Sequence, residues 1–121
     1  MSTRLLSCIL LAVALPFPLA SCGNDSPTRP QSGTIEVQVR ATSFSPSQVT
    51  ITPGSTIRWV NQGSILHTVT PDGHSEWERA TLSNAGETFS HTFREEGVYA
   101  YFCEPHRAVG MVGTIRVEAE S

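Results

Sequence analysis

Four side chains have the types and spacing of ligands for a transition metal. The segment Cys103–Met111 follows the pattern Cys-x2-His-x4-Met and so brings together a thiol, the imidazole of His106 and a thioether. A second imidazole, His67, stands earlier in the chain. Two histidines, one cysteine and a weakly bound methionine are the donors of mononuclear blue-copper sites. The sequence therefore predicts one copper ion held by His67, Cys103, His106 and Met111.

Each of these residues has a simpler interpretation when it is taken alone. A cysteine at the end of a strand is more often a small buried apolar residue, and an isolated methionine usually fills a core. A single histidine is usually a surface residue. Their coincidence at this spacing favours the metal site. The other two histidines have no such partners: we expect His74 to be solvated and His91 to be partly buried or at a strand edge.

The three cysteines are expected to have separate fates. Residues 1–21 combine one charge, an apolar run and small residues, which is typical of a signal peptide. The end of this run, Leu19-Ala20-Ser21-Cys22, resembles a bacterial lipobox, so Cys22 is predicted to carry lipid and Cys8 to leave with the leader. An ordinary signal peptide cleaved nearby, or a retained anchor, is the alternative. Residues 22–33 are predicted to be a lipidated flexible tether, with the folded domain at 34–119 and exported to the periplasm or the cell surface.

On this interpretation Cys103 is the single thiol of the domain, and no disulfide can form within it. A lone thiol outside the cytoplasm would oxidise if it were exposed. Cys103 is therefore expected to have a role that protects it, such as metal ligation.

Length and charge restrict the classes of function. The chain has 121 residues, enough for one ordinary domain. It contains 8 arginines and no lysine against 11 acidic residues, a net charge of −3. Because there is no basic run, nucleic acid is a poor candidate partner.

From Thr34 onward the hydrophobic pattern has a period of two, which favours β-strands. Seven or eight short strands separated by turn residues, with no helical stretch of useful length, predict an all-β antiparallel sandwich. Residues 71–86 are the least regular and have room for a short helical turn. The alternating positions are Ile35, Val37 and Val39, then Val49 and Ile51, then Ile57 and Trp59.

From about Ile35 to Val117 the chain resembles a small cupredoxin of the plastocyanin type. The resemblance rests on the ligand segment and on the motifs Phe44-x-Pro46, Trp59-Val60-Asn61, His67-Thr68-Val69 and Gly97-x-Tyr99-x-Tyr101-x-Cys103. It implies a Greek-key sandwich, one copper ion cycling between Cu(II) and Cu(I), and a one-electron carrier rather than an enzyme. It also implies that His67, Cys103, His106 and Met111 are the ligands.

The resemblance further implies how the site is tuned and reached. The amide of Thr68 is the expected donor to the Cys103 sulfur, since Pro105 has no N–H to offer. Asn61 is expected to brace a loop, or simply to form a turn. Electrons would pass through the edge of His106 to a transient redox partner, such as a c-type cytochrome or a membrane electron-transport complex. An apolar surface would surround the edge of the His106 ring. The residues expected to form this surface are Leu66, Pro105, Ala108 and Val109. The alternative is that Leu66 and Val109 are buried.

Two further residues near the site bear on partners. Phe102 stands where plant members of the family have a tyrosine, which puts a second electron route in doubt. Arg107 would favour acidic partner surfaces.

Other functions remain open at this level. A copper storage or delivery protein would use the same ligands without a redox partner. A metal-free adhesion module is disfavoured by the ligand set. A binuclear copper centre needs a second cysteine in the ligand segment, and haem attachment needs Cys-x-x-Cys-His; neither pattern occurs. We expect a monomer.

Overall fold

The computed structural model describes residues 29–120, which form nine β-strands and one 3-10 helix at Glu104–Val109. The predicted leader, Cys8, Cys22 and most of the tether lie outside these residues. The strands are β1 (Thr34–Val39), β2 (Phe44–Ser45), β3 (Gln48–Ile51), β4 (Ser55–Asn61), β5 (His67–Pro71), β6 (Ala80–Leu82), β7 (Thr88–Phe93), β8 (Gly97–Phe102) and β9 (Val112–Val117).

The strands form two sheets, with orders β2-β1-β4-β7 and β3-β9-β8-β5-β6. This confirms the predicted all-β sandwich. The structure has nine strands rather than seven or eight because β2 has 2 residues and β6 has 3, too few for alternation to reveal. Two pairings, β1 with β4 and β3 with β9, are parallel rather than antiparallel. Parallel neighbours need a crossover connection, and between β1 and β4 the chain passes through β3 of the other sheet.

The core lies between the sheets and follows the predicted alternation. Val37, Val39, Ile57 and Trp59 are buried, while Arg58 between the last two is exposed. The Trp59 ring is the centre of an aromatic cluster, with ring centroids 5.5 Å from Trp77, 5.4 Å from Phe89 and 5.4 Å from Tyr101. Large rings bury the most apolar area per residue, so this cluster contributes strongly to the stability of the core.

The irregular segment 71–86 differs from its prediction. It has no helical turn; it contains β6 and the buried Trp77, whose Nε1–H donates to the Val69 carbonyl at 3.1 Å. The prediction that His74 is solvated is wrong. His74 is half-buried, its Nε2–H donates to the Ala100 carbonyl at 2.8 Å and its Nδ1 accepts the Glu76 N–H at 3.1 Å. The segment has no regular local pattern, and long-range contacts to β8 therefore hold it in place.

His91 lies on β7, an edge strand, and is half-buried, which confirms its prediction. Its Nε2 is 2.9 Å from a carboxylate oxygen of Glu76. Glu76 thus links the segment before β6 to β7.

The fold begins before the predicted end of the tether. Gln31 forms a parallel bridge with Ile51, accepts the Thr52 N–H at 2.9 Å and donates to the Thr50 carbonyl at 2.9 Å. Among residues 29–120, no helix has the length and apolar character needed to cross a bilayer.

Candidate metal centre

The topology explains why distant residues meet. β5 and β8 are antiparallel neighbours, so the first residue of β5, His67, lies at the same end of the sheet as Cys103, which follows the last residue of β8. The 3-10 helix carries His106, and the chain then returns through Met111 into β9, the other neighbour of β8. Three adjacent strands thus deliver all four predicted donors to one end of the sandwich.

Three of the donors have metal-binding geometry. The Cys103 Sγ lies 3.6 Å from His67 Nδ1 and 3.3 Å from His106 Nδ1. One ligand atom from each residue lies within 4.8 Å of the others. A metal about 2.3 Å from sulfur and about 2.0 Å from nitrogen, at a tetrahedral angle, separates the two donors by about 3.5 Å. The three donors therefore fit one small cation that prefers nitrogen and sulfur ligands.

Of the four predicted donors, one side chain reaches solvent. His67, Cys103 and Met111 are fully buried, whereas His106 is partly exposed. Backbone hydrogen bonds fold Met111 back toward the other donors: its carbonyl accepts the Cys103 N–H at 3.0 Å, and its N–H donates to the His106 carbonyl at 3.2 Å. The thioether is therefore placed by the same short loop that carries the thiol and the imidazole.

Local sequence makes that loop tight. Pro105 stands in the first turn of the 3-10 helix, where its missing N–H costs no hydrogen bond. Gly110 ends the helix with a φ of 88°, a left-handed conformation that glycine adopts without strain. The Gly110 N–H donates to the Arg107 carbonyl at 2.9 Å, and the chain reverses into β9.

The electrostatics of His67 suit a metal ligand. Burial lowers the pKa of His67 below its usual range, and the neighbouring His106 lowers it further. The imidazole is therefore held neutral, the form that binds a cation. Its Nε2 is buried without a hydrogen-bond partner among residues 29–120.

This lowered pKa predicts a pH dependence for the metal-free protein. Unfolded chains bind a proton at His67 near pH 6.5, whereas the folded protein binds it only at lower pH. The contribution of His67 to stability is therefore fully present above about pH 6.5 and is lost as the pH falls toward the folded-state pKa. Urea unfolding of the metal-free protein at pH 7.5 and 5.5 should show lower stability at the lower pH. In a His67→Gln variant the difference should shrink; an unchanged difference would contradict this assignment.

The residues predicted to support the site have defined contacts. Asn61 is buried; its Nδ2 donates to the carbonyls of Ile65 and Leu82, both at 3.4 Å, and its Oδ1 accepts the Gly63 N–H at 3.2 Å. It thus ties the loop before His67 to β6. Sequence reasoning missed one hydrogen bond of the Thr68 side chain: its hydroxyl oxygen accepts the Glu104 N–H at 2.8 Å. The donation from the Thr68 amide to the Cys103 sulfur stays a prediction.

The surface around His106 is apolar. Leu66 and Val109 are 47% and 66% exposed, so the alternative in which they are buried is wrong. Sequence reasoning missed two further exposed apolar residues next to donors in sequence: Ile65, two positions before His67, and Val112, directly after Met111, are each 47% exposed. An isoleucine–leucine pair in a loop directly before a ligand was the available signal for the first of these. We call this set the apolar surface; it comprises Ile65, Leu66, Pro105, Ala108, Val109 and Val112.

Arg107 is engaged within the protein rather than free. Its guanidinium lies 4.0 Å from the centroid of the Phe102 ring and 3.1 Å from a carboxylate oxygen of Asp72. The ion pair reduces the net positive charge that Arg107 presents to a partner, and the stacking covers one face of Phe102.

Comparisons with known proteins agree with this geometry. Residues 31–118 match the family described as copper binding proteins, plastocyanin/azurin family. A plastocyanin of Scenedesmus fuscus is 39% identical over 88 residues, covering 62% of this chain and 86% of that protein. A halocyanin of Natronomonas pharaonis is 37% identical over 78 residues, covering 62% of this chain and 48% of that protein.

Solved structures give the same result. A purple cupredoxin from Nitrosopumilus maritimus superposes with a TM-score of 0.58 at 27% identity, covering 69% of this chain and 98% of that one. A variant of amicyanin in its reduced state gives 0.59 at 27% identity, covering 71% and 83%. The match of the family model to most of the folded residues establishes the relationship. The chain belongs to the plastocyanin/azurin family of copper binding proteins.

Proposed function

We propose that this protein is a one-electron carrier that binds a single copper ion through His67, Cys103, His106 and Met111. The observation that carries the proposal is the convergence of one thiol and two imidazole nitrogens within 4.8 Å at a buried end of the sandwich. Copper bound there would supply one-electron chemistry between its two oxidation states.

The chain's own residues suit exchange of electrons better than catalysis. Burial of His67, Cys103 and Met111 keeps water from the donors, and four protein donors leave no position for a substrate. His106 is the partly exposed donor, so its ring edge is the shortest route to the surface. The apolar surface around it lets a partner dock closely without a large interface. We propose a transient redox protein as that partner, a c-type cytochrome or a membrane electron-transport complex.

Electrochemistry tests this function against copper storage or delivery, which would use the same donors. We expect fast, reversible voltammetry of the copper-loaded protein with no loss of metal over many cycles. Ready transfer of Cu(I) to an acceptor protein, with slow electron exchange at the electrode, would favour delivery instead. The burial of three donors supports the carrier, since a delivery site benefits from ligands that an acceptor can reach.

We also propose that the domain is exported and tethered to a bacterial membrane by lipid on Cys22. The support is the lipobox-like sequence at residues 19–22, preceded by an apolar run. Mass spectrometry of the protein from membranes should find a lipid adduct on Cys22. The Cys22→Ser variant should then appear without lipid, and a non-lipidated wild-type protein would contradict the tether.

Pro105 gives a prediction about the reduction potential. With no N–H at this position, the thiolate of Cys103 keeps more of its electron density, which favours Cu(II). In Pro105→Ala the new amide can turn toward the sulfur, so we expect the midpoint potential to rise. Voltammetry measures this, with Pro53→Ala, in the turn between β3 and β4, as the matched control that should leave the potential unchanged. An unchanged midpoint in Pro105→Ala would remove the idea.

A further inference from the structure

One buried hydroxyl bridges the two segments that carry the sulfur and the buried imidazole. Thr68 directly follows His67 and is fully buried. Its Oγ1 accepts the N–H of Glu104, the residue directly after Cys103, at 2.8 Å. A single side chain adjacent to one donor therefore holds the peptide adjacent to another.

A second layer surrounds this hydroxyl. The Thr70 hydroxyl lies 3.0 Å from Thr68 Oγ1 and 3.1 Å from a carboxylate oxygen of Glu104, and it can donate its proton to either. The same carboxylate oxygen lies 2.8 Å from Nε of Arg79, which precedes β6. Glu104 is thus held at both ends, by its backbone amide to Thr68 and by its side chain to Thr70 and Arg79. We call these four residues the Thr68 cluster.

We propose that the Thr68 cluster is a positioning device that fixes the Cys103 sulfur relative to His67. The inference rests on the proposed function and adds to it the residues that set the geometry of the donors. β5 and β8 pair only through Thr70–Phe102 and Pro71–Tyr101, so the strand ladder stops before the two donors are reached. Beyond that point the Thr68 hydroxyl takes the place of the ladder.

The physical consequence follows from the cost of an unmet hydrogen bond. Thr68→Val keeps the shape of the side chain but leaves the Glu104 N–H without its acceptor, which loosens the Cys103–Glu104 peptide. Thr68→Ser keeps the hydroxyl and should restore the bond. Thr70→Val removes only the outer contacts and should have a smaller effect. Thr92→Val is the matched control, because its hydroxyl lies 2.7 Å from that of Thr56 in the other sheet, away from the donors.

The experiment uses three measurements, one on the metal-free protein and two on the copper-loaded protein. In the metal-free protein, amide hydrogen exchange should show the Glu104 N–H protected, and Thr68→Val should lower that protection about tenfold. In the copper-loaded protein, Thr68→Val should release Cu(I) to a chelator about tenfold faster and shift the thiolate-to-copper absorption maximum. Thr70→Val should change the release rate about two- to threefold. Thr68→Ser and Thr92→Val should match the wild type in all three measurements, whatever Thr92→Val costs in stability.

Several results would overturn the proposal. One is an amide exchange rate at Glu104 in Thr68→Val that equals the wild-type rate. Another is a Thr68→Ser variant whose exchange and copper-release rates differ from those of the wild type. A third is a change of these rates in Thr92→Val as large as that in Thr68→Val. Should Thr68→Val fail to fold, wild-type release from Thr70→Val would count against the cluster. If the wild type bound no copper, the proposed function would fail, while exchange at Glu104 in the metal-free protein would still decide whether Thr68 holds the peptide.

Discussion

Cys103→Ser is expected to abolish the intense blue thiolate-to-copper absorption that the wild-type protein should develop with Cu(II). The colour requires a sulfur–copper bond, and a serine hydroxyl is neither ionised at neutral pH nor able to supply one. The fold should survive, because serine is close to cysteine in size. At position 103 its hydroxyl would also find hydrogen-bond partners in the nearby nitrogens of His67 and His106.

Titration with Cu(II) followed by visible absorption measures this result, and far-ultraviolet circular dichroism of the metal-free variant checks the fold. Cys22→Ser is the matched control, since it makes the same chemical change at a residue that is not one of the proposed ligands and should leave the colour intact. A blue Cys103→Ser protein, or a colourless wild type, would be incompatible with the proposed ligands.

Gly113→Ala is expected to lower the free energy of unfolding by about 3 kcal/mol, the upper part of the range for overpacking a core. A Cβ at Gly113 would lie 2.3 Å from Cζ and 2.4 Å from the hydroxyl oxygen of Tyr101, its cross-strand partner on β8. The Tyr101 ring cannot simply move away, because it is buried and its centroid lies 4.7 Å from that of Phe44 and 5.4 Å from that of Trp59. Since Tyr101 stands two residues before Cys103, the strain would also reach the metal site.

Urea unfolding of the metal-free protein measures the loss. Gly63→Ala is the matched control: a Cβ there meets no atom within 4 Å, so its stability should stay within about 0.5 kcal/mol of the wild type. In a Tyr101→Leu background the added methyl has room, and the penalty of Gly113→Ala should shrink. An equal penalty in both backgrounds would show that the clash with the ring is not the cause.

The sequence predicted those features of the fold and the site that depend on a local hydrophobic pattern or on rare residue types. Alternation at Val37, Val39, Ile57 and Trp59 identified the buried faces, because side chains of a strand point to opposite sides. The spacing of the ligand segment indicated a metal site, since each donor type at each gap is restrictive in itself. The family relationship then followed from a small number of motifs.

The rest depends on contacts between residues far apart in sequence, which periodicity does not encode. The residues of β1 and their neighbours in sequence do not specify a parallel partner strand. Likewise, the residues near His74 in sequence do not indicate that its Nε2–H will donate a hydrogen bond to the Ala100 carbonyl. The link from Thr68 to Glu104 is of the same kind, although Thr68 and Thr70 share one face of β5 and so hinted at a common role. Such contacts appear only once the sheets are assembled.

The position of β9 determines when the metal site can be completed. Although β9 is the last strand among residues 29–120, it lies inside the five-stranded sheet, between β3 and β8. The loop that bears Cys103, His106 and Met111 runs directly into this strand, so its far end is fixed only when β9 has docked between its two neighbours. The parallel pairing of β9 with β3 joins residues far apart in sequence, and such pairing is slow compared with helix formation. A chain in which β9 has not yet docked would therefore have an exposed Cys103 thiol, and delayed docking of this six-residue strand would be enough to expose it.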